Sequence, residues 1–128
     1  NFIMRKKINI EYVFSSSVKI LFSRLSTVTG LSEWFADRVE EQNGDYIFYW
    51  GNVMHRAQLL EMRNNTEVKF RWEDAPSEEE FFGFRINVHP ITEDVSLFIT
   101  DFVEEQEEED VIELWNSQIE DLRQNIGG

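Results

Sequence analysis

The sequence predicts one α+β domain in which a curved antiparallel sheet of about seven strands wraps around a long C-terminal helix. Segments of alternating apolar and polar residues, typical of half-buried strands, occupy the middle of the chain. Short polar turns join these segments, which favours antiparallel pairing. The C-terminal segment instead repeats apolar residues at helical spacing, and no other segment is long enough to cover such a sheet.

The first strand is predicted from residues 8–14, where Ile8, Ile10, Tyr12 and Phe14 share one face. Three serines then offer hydroxyl groups that can cap a helix. Apolar residues at helical spacing from Val18 predict a short amphipathic helix that ends near residue 26. Thr29-Gly30 is expected to break the chain, and residues 31–36 are predicted to form one or two further helical turns.

Six more strands and a long helix follow. The alternating pattern places the strands at residues 38–41, 46–50, 54–62, 68–72, 82–88 and 95–99. Glycine and asparagine pairs mark the turns between them. The acidic run 104–110 is interpreted as a solvated loop and a first helical turn that suits the helix dipole, not as a metal site. The final helix is predicted from residue 111 to 126, where Gly127-Gly128 would stop it.

Composition limits the possible functions. The chain has 128 residues, which suits a single domain over 1–128, and we expect Met4 to be the natural start and residues 1–3 a remnant of cloning. The formal net charge of −13 disfavours nucleic acid and anionic membrane surfaces as partners. Cysteine is absent, which suits the cytoplasm. No apolar run approaches the ~20 residues that a membrane span needs.

Several short segments carry a resemblance to a known family. They are Gly30-Leu31-Ser32-Glu33-Trp34-Phe35-Ala36-Asp37, Phe48-Tyr49-Trp50, Val68-Lys69-Phe70-Arg71-Trp72, Thr100-Asp101-Phe102 and Leu114-Trp115. On these residues the chain resembles the small bacterial START-like domains of the START and birch-pollen-allergen-like superfamily, which are related to the activator of the heat-shock chaperone ATPase. The resemblance implies the helix-grip fold. It implies no single function, because the superfamily includes lipid carriers, polyketide cyclases, hormone receptors and co-chaperone domains.

No catalytic, metal or cofactor site is predicted. The two histidines, His55 and His89, lie on different predicted strands and have no metal-ligand spacing. The serines at 15–17 lack the setting of a nucleophile elbow, and no glycine loop is of the phosphate-binding kind. An enzyme of the cyclase or hydrolase kind is therefore the third hypothesis, after two binding functions.

The leading hypothesis is a small apolar or amphipathic ligand, such as a lipid, held between the sheet and the C-terminal helix. The expected lining is largely aromatic and comprises Tyr12, Trp34, Phe35, Phe48, Trp50, Phe70, Trp72, Phe84 and Trp115. These rings either line a cavity or fill it. In the resembled fold, Trp34 and Phe35 lie by the cavity mouth, where they act either as a lid or as a plug for the core.

The second hypothesis is a protein-interaction domain, either co-chaperone-like or homodimeric. Ile47, Tyr49 and Phe98 fall on the strand face opposite the inward aromatic residues. Exposed rings on neighbouring strands would form an apolar patch that a partner can cover. Scattered surface apolar residues would need no such explanation.

Overall fold

A computed structural model of the chain describes residues 4–127. It contains seven strands, three α-helices and one short 3₁₀ turn. In chain order these are β1 (Arg5–Phe14), α1 (Val18–Ser26), α2 (Val28–Trp34), β2 (Arg38–Gln42), β3 (Asp45–Trp50), β4 (Val53–Arg63), β5 (Glu67–Trp72), β6 (Phe82–Val88), β7 (Val95–Glu104), the 3₁₀ turn (Glu105–Glu107) and α3 (Glu108–Ile126). Residues 1–3, predicted to be a cloning remnant, lie outside the described range.

The strands form one antiparallel sheet in the order β1-β7-β6-β5-β4-β3-β2. Because β1 and β2 lie at opposite edges, α1 and α2 carry the chain across one face of the sheet. The helix α3 packs against both short helices and against β7 on that same face. A register shift in β4 between Leu59 and Glu61 adds local bend and twist to the sheet. This architecture is the predicted helix-grip fold.

Residues suited to helix ends mark the starts of the two short helices and the end of α3. Ser17 caps α1, because its Oγ accepts a hydrogen bond from the Ile20 N–H at 3.2 Å. Thr27 caps α2 in the same way, accepting from the Gly30 N–H at 2.9 Å. Gly127 adopts a left-handed backbone (φ 78°) and ends α3, as its residue type predicts.

Gly30 lies inside α2, so the predicted chain break at this residue is wrong. A Cβ atom at position 30 would lie 2.2 Å from the Ser23 carbonyl oxygen and 2.6 Å from Arg24 Cα. Glycine is needed here because the backbone of α1 passes so close, and not because the helix ends. The actual boundary between the two helices is Thr27.

The last strand is longer than its apolar pattern predicts. The pattern Val95, Leu97, Ile99 stops at residue 99, yet β7 continues to Glu104 and pairs with β1 along its whole length. Backbone pairing holds this extension, so it needs no apolar side chain at each inward position. The acidic loop expected at 104–110 is reduced to the single 3₁₀ turn, and α3 begins with three acidic residues in its first turn, as predicted.

Candidate functional site

Phe35 fills the middle of the space between sheet and helix. Its ring stacks on Phe82 of β6 at a centroid distance of 5.8 Å and on Trp115 of α3 at 5.7 Å. It also meets Phe48 and Phe84 edge-on, and it is 4% exposed. The position of this ring between the sheet and the helix favours the plug interpretation over the lid.

Trp34 packs into the same aromatic cluster. Its ring packs edge-on against Phe84 at 5.8 Å, and its indole N–H donates a hydrogen bond to the Arg24 carbonyl oxygen at 2.8 Å. It is 6% exposed, although one side borders a groove between α2 and α3. The burial and the hydrogen bond tie Trp34 to α1 and favour a structural role.

The remaining predicted lining residues divide into an interior set and an edge set. Phe48, Phe70 and Phe84 are at most 1% exposed and pack against other rings. Trp50 and Trp72 lie partly exposed at the strand ends. Tyr12 faces α3, where its hydroxyl donates to Asn116 Oδ1 at 2.6 Å. Whether any of these residues binds a ligand stays a prediction.

Open space lies at the rim of the sheet–helix layer. One cleft of about 330 Å³, which we call the Asp101 cleft, opens between the β5–β6 loop, the end of β7 and the start of α3. Its walls combine apolar and charged side chains, chiefly Arg5, Trp72, Glu80, Phe81, Asp101, Phe102 and Val111. A concave apolar site with a few polar groups is the usual form of a small-molecule site.

Asp101 reaches this cleft because β7 continues past its apolar pattern. Residue 101 pairs with Ile8 and points toward the same face as Ile99. Its Oδ2 accepts a hydrogen bond from the Trp115 indole N–H at 3.0 Å, and its Oδ1 accepts one from the Phe102 N–H at 2.8 Å. The sequence analysis did not select Asp101. The alternation of inward-facing residues, continued past Ile99 by two positions, would have identified it.

Burial raises the pKa of the Asp101 carboxyl group above its ordinary value. The hydrogen bonds from Trp115 and Phe102 act in the opposite direction, as does the nearby Arg5, but they do not cancel the desolvation. Such a carboxyl group can accept a hydrogen bond from a ligand, or donate one when it is protonated. Arg5 itself forms an ion pair with Glu80 at 2.5 Å at the edge of the cleft.

A second opening adjoins the first. Trp50, His55, Trp72 and Asp74 surround a space of about 260 Å³, which we call the Trp50–Trp72 corner. It shares Trp72 and Asp74 with the Asp101 cleft. The two openings therefore lie next to each other, on either side of Trp72 and Asp74.

The predicted outer patch does not form a continuous surface. Ile47 and Tyr49 lie on β3 and Phe98 lies on β7, and three strands separate them. Ile47 is 3% exposed, flanked by its register partners Glu40 and Arg56, whose long side chains can cover it. Cations lie over the other two rings: Arg38 is 4.0 Å from the Tyr49 centroid, and Arg85 is 4.5 Å from that of Phe98.

Residues 4–127 contain no group of three or more His, Cys, Asp or Glu side chains placed to hold a metal ion. Within the same range, no helix has the length and apolar character needed to cross a membrane.

Several solved protein structures are similar to this chain. The chain is similar to BfR322 from Bacteroides fragilis, solved in solution by NMR, with 36% identity over 94% of this chain and 90% of that one (TM-score 0.68). The Aha1 dimer from Colwellia psychrerythraea shares 13% identity over 94% of this chain and 96% of that one (TM-score 0.78). CalU16 from Micromonospora echinospora shares 14% identity over 95% and 76% of the two chains (TM-score 0.74).

No curated protein matches the chain significantly. A family model for the START-like superfamily domain matches residues 2–128. The match covers nearly the whole chain, and the two more distant structures share its fold. The chain belongs to the START-like superfamily.

Proposed function

We propose that the chain is a non-enzymatic binding domain that takes a small amphipathic ligand in the Asp101 cleft. The observation that carries the proposal is a partly buried carboxyl group, with a raised pKa, that lines a cleft together with Trp72, Phe81, Phe102 and Val111. A cleft of this kind can bury an alkyl or ring system against the apolar wall while the carboxyl group fixes a polar group.

The location differs from the interior cavity that the sequence suggests. Phe35 and its ring neighbours occupy the space between β6 and α3, so a ligand at the Asp101 cleft lies beside the core rather than within it. Both oxygens of Asp101 are held by hydrogen bonds from within the protein. This suits a fixed polar anchor, and a buried carboxyl group with a raised pKa in a cleft is as compatible with ligand binding as with catalysis.

Filling the cleft should abolish binding. Ala75 lies in the β5–β6 loop and lines the cleft, so Ala75→Trp places a large ring in the space. Ser77→Trp adds the same ring two residues further along the loop at an exposed position outside the lining, and it serves as the control. The probe is dodecyl maltoside below its micelle concentration, titrated by calorimetry.

We expect Ala75→Trp to weaken the binding of the probe at least about tenfold, which corresponds to about 1.4 kcal/mol. Ser77→Trp should bind like the unaltered protein. Equal affinity of all three proteins would show that the probe binds elsewhere. Absence of binding to the unaltered protein would contradict the proposed function itself.

A second candidate function is self-association. It is favoured by the similarity in fold to Aha1 from Colwellia psychrerythraea, which was solved as a dimer. Light scattering on the purified protein tests this candidate directly. A particle of twice the 15.3 kDa chain mass at micromolar concentration supports it, and a particle of the single chain mass contradicts it.

A further inference from the structure

The Trp50–Trp72 corner presents a concave aromatic surface. The two indole rings lie 6.1 Å apart at an interplanar angle of 60°. The His55 ring completes the corner at 5.8 Å from Trp50 and 5.9 Å from Trp72, tilted by 61° and 67°. All three side chains are partly exposed, so a ligand can reach them. Rings inclined to each other around one space are the arrangement that proteins use to hold organic cations.

Three other partly exposed rings already carry cations of their own. Arg38 lies over Tyr49, Arg85 over Phe98, and Lys69 over Phe81. Among the described residues, no Lys or Arg side chain lies over Trp50 or Trp72. Tryptophan is the strongest cation acceptor of the aromatic side chains. Trp50 and Trp72, each stacked on a phenylalanine on one side, are therefore strong acceptors that carry no cation of the described residues.

Charge at the corner favours the same kind of ligand. Asp74 borders the space and, within residues 4–127, forms no ion pair. The adjoining Asp101 cleft adds Glu104 and Glu107, and its one basic lining residue, Arg5, is already paired with Glu80. The whole chain has 25 acidic and 12 basic residues. A positive group entering the corner meets aromatic faces and an unpaired carboxylate.

We propose that the Trp50–Trp72 corner binds the ammonium group of a cationic amphiphile whose apolar part lies in the Asp101 cleft. This inference rests on the proposed function, because it assigns the charge of the same ligand. Trp72 and Asp74 border both spaces, so the head and the tail of one molecule can lie on either side of these two residues. An alkylammonium head fits the chemistry of the corner, whereas a carboxylate or sulfate head would face Asp74.

Two probes with the same alkyl tail test the assignment. Dodecyltrimethylammonium carries the cation, and dodecyl maltoside is its neutral counterpart, both below their micelle concentrations. The variant Asp74→Asn removes the carboxylate at the corner. The control Glu73→Gln removes a charge from the neighbouring residue, whose side chain is 75% exposed and lies near Arg56 on the outer face of the sheet. The control measures the general attraction of an acidic protein for any cation.

We expect the cationic probe to bind about tenfold more tightly than the neutral probe. Asp74→Asn should weaken the binding of the cationic probe severalfold and that of the neutral probe much less, because asparagine keeps the size of a side chain that borders both spaces and removes only its charge. Glu73→Gln should change the affinity for neither probe by as much as twofold. Equal affinities for the two probes, or equal effects of the two variants, would overturn the assignment while leaving the proposed function intact. If neither probe binds the unaltered protein, both proposals fail.

Discussion

Replacing Phe35 with alanine should lower the free energy of unfolding by about 3–5 kcal/mol, the usual cost of truncating a fully buried phenylalanine. Phe35 stacks on Phe82 and on Trp115, so its ring joins the sheet to the long helix. Removing it leaves a cavity whose walls belong to rigid rings that cannot collapse readily. Urea unfolding, followed by tryptophan fluorescence and by circular dichroism, measures the loss.

Phe98→Ala is the matched control for Phe35→Ala. The same ring is removed, but Phe98 lies partly exposed on the outer face of the sheet beneath Arg85. This variant should cost about 1 kcal/mol or less, because most of the deleted surface is already near solvent. A lid residue would behave like the control. If Phe35→Ala costs no more than Phe98→Ala, the plug interpretation is wrong.

Gly30→Ala should be the second severe substitution. Alanine normally favours a helix over glycine by about 1 kcal/mol, so helix propensity alone predicts a gain in stability. Here the added methyl group would lie 2.2 Å from the Ser23 carbonyl oxygen and 2.6 Å from Arg24 Cα, both backbone atoms of α1. The two helices must move apart, and overpacking of this kind costs about 1–3 kcal/mol or more.

Thr29→Ala provides the comparison for Gly30→Ala, because Thr29 is exposed and lies on the same short helix. Its free energy of unfolding should stay within about 0.5 kcal/mol of the unaltered protein. Thermal unfolding of both variants distinguishes the two accounts of Gly30. A rise in the midpoint for Gly30→Ala would mean that α1 and α2 do not pack as closely as described.

The strand pattern and the long helix could be predicted because each depends on local periodicity. The strand 67–72 alternates Val68, Phe70 and Trp72 with polar residues, and all three apolar side chains face the core side as expected. Helix α3 likewise buries Trp115, Ile119 and Leu122 at helical spacing. Local patterns identify the face that each residue uses, and the sheet order follows from the antiparallel connections.

The candidate site could not be predicted from the sequence, because it depends on distances between residues that lie far apart in the chain. Phe48 and Phe84 lie at inward-facing strand positions, which suits them equally to lining a cavity or to filling one. Only the position of Phe35 between β6 and α3, in contact with both rings, favours filling. Asp101 was missed because a polar residue on an inward position interrupts the apolar pattern and resembles a strand end. Gly30 was misassigned because the reason for a glycine, here a neighbouring backbone, lies in another helix.

The spectrum of the four tryptophan indole N–H groups tests the central claim most directly. Trp34 donates to the Arg24 carbonyl oxygen beside α1, and Trp115 donates to Asp101 at the cleft. Trp50 donates to the Phe35 carbonyl oxygen and borders the corner, and Trp72 borders both openings. Titrating ¹⁵N-labelled protein with dodecyltrimethylammonium should shift the Trp50, Trp72 and Trp115 peaks and leave the Trp34 peak in place. A titration in which Trp34 shifts most, or in which no indole peak moves, would contradict binding at the Asp101 cleft.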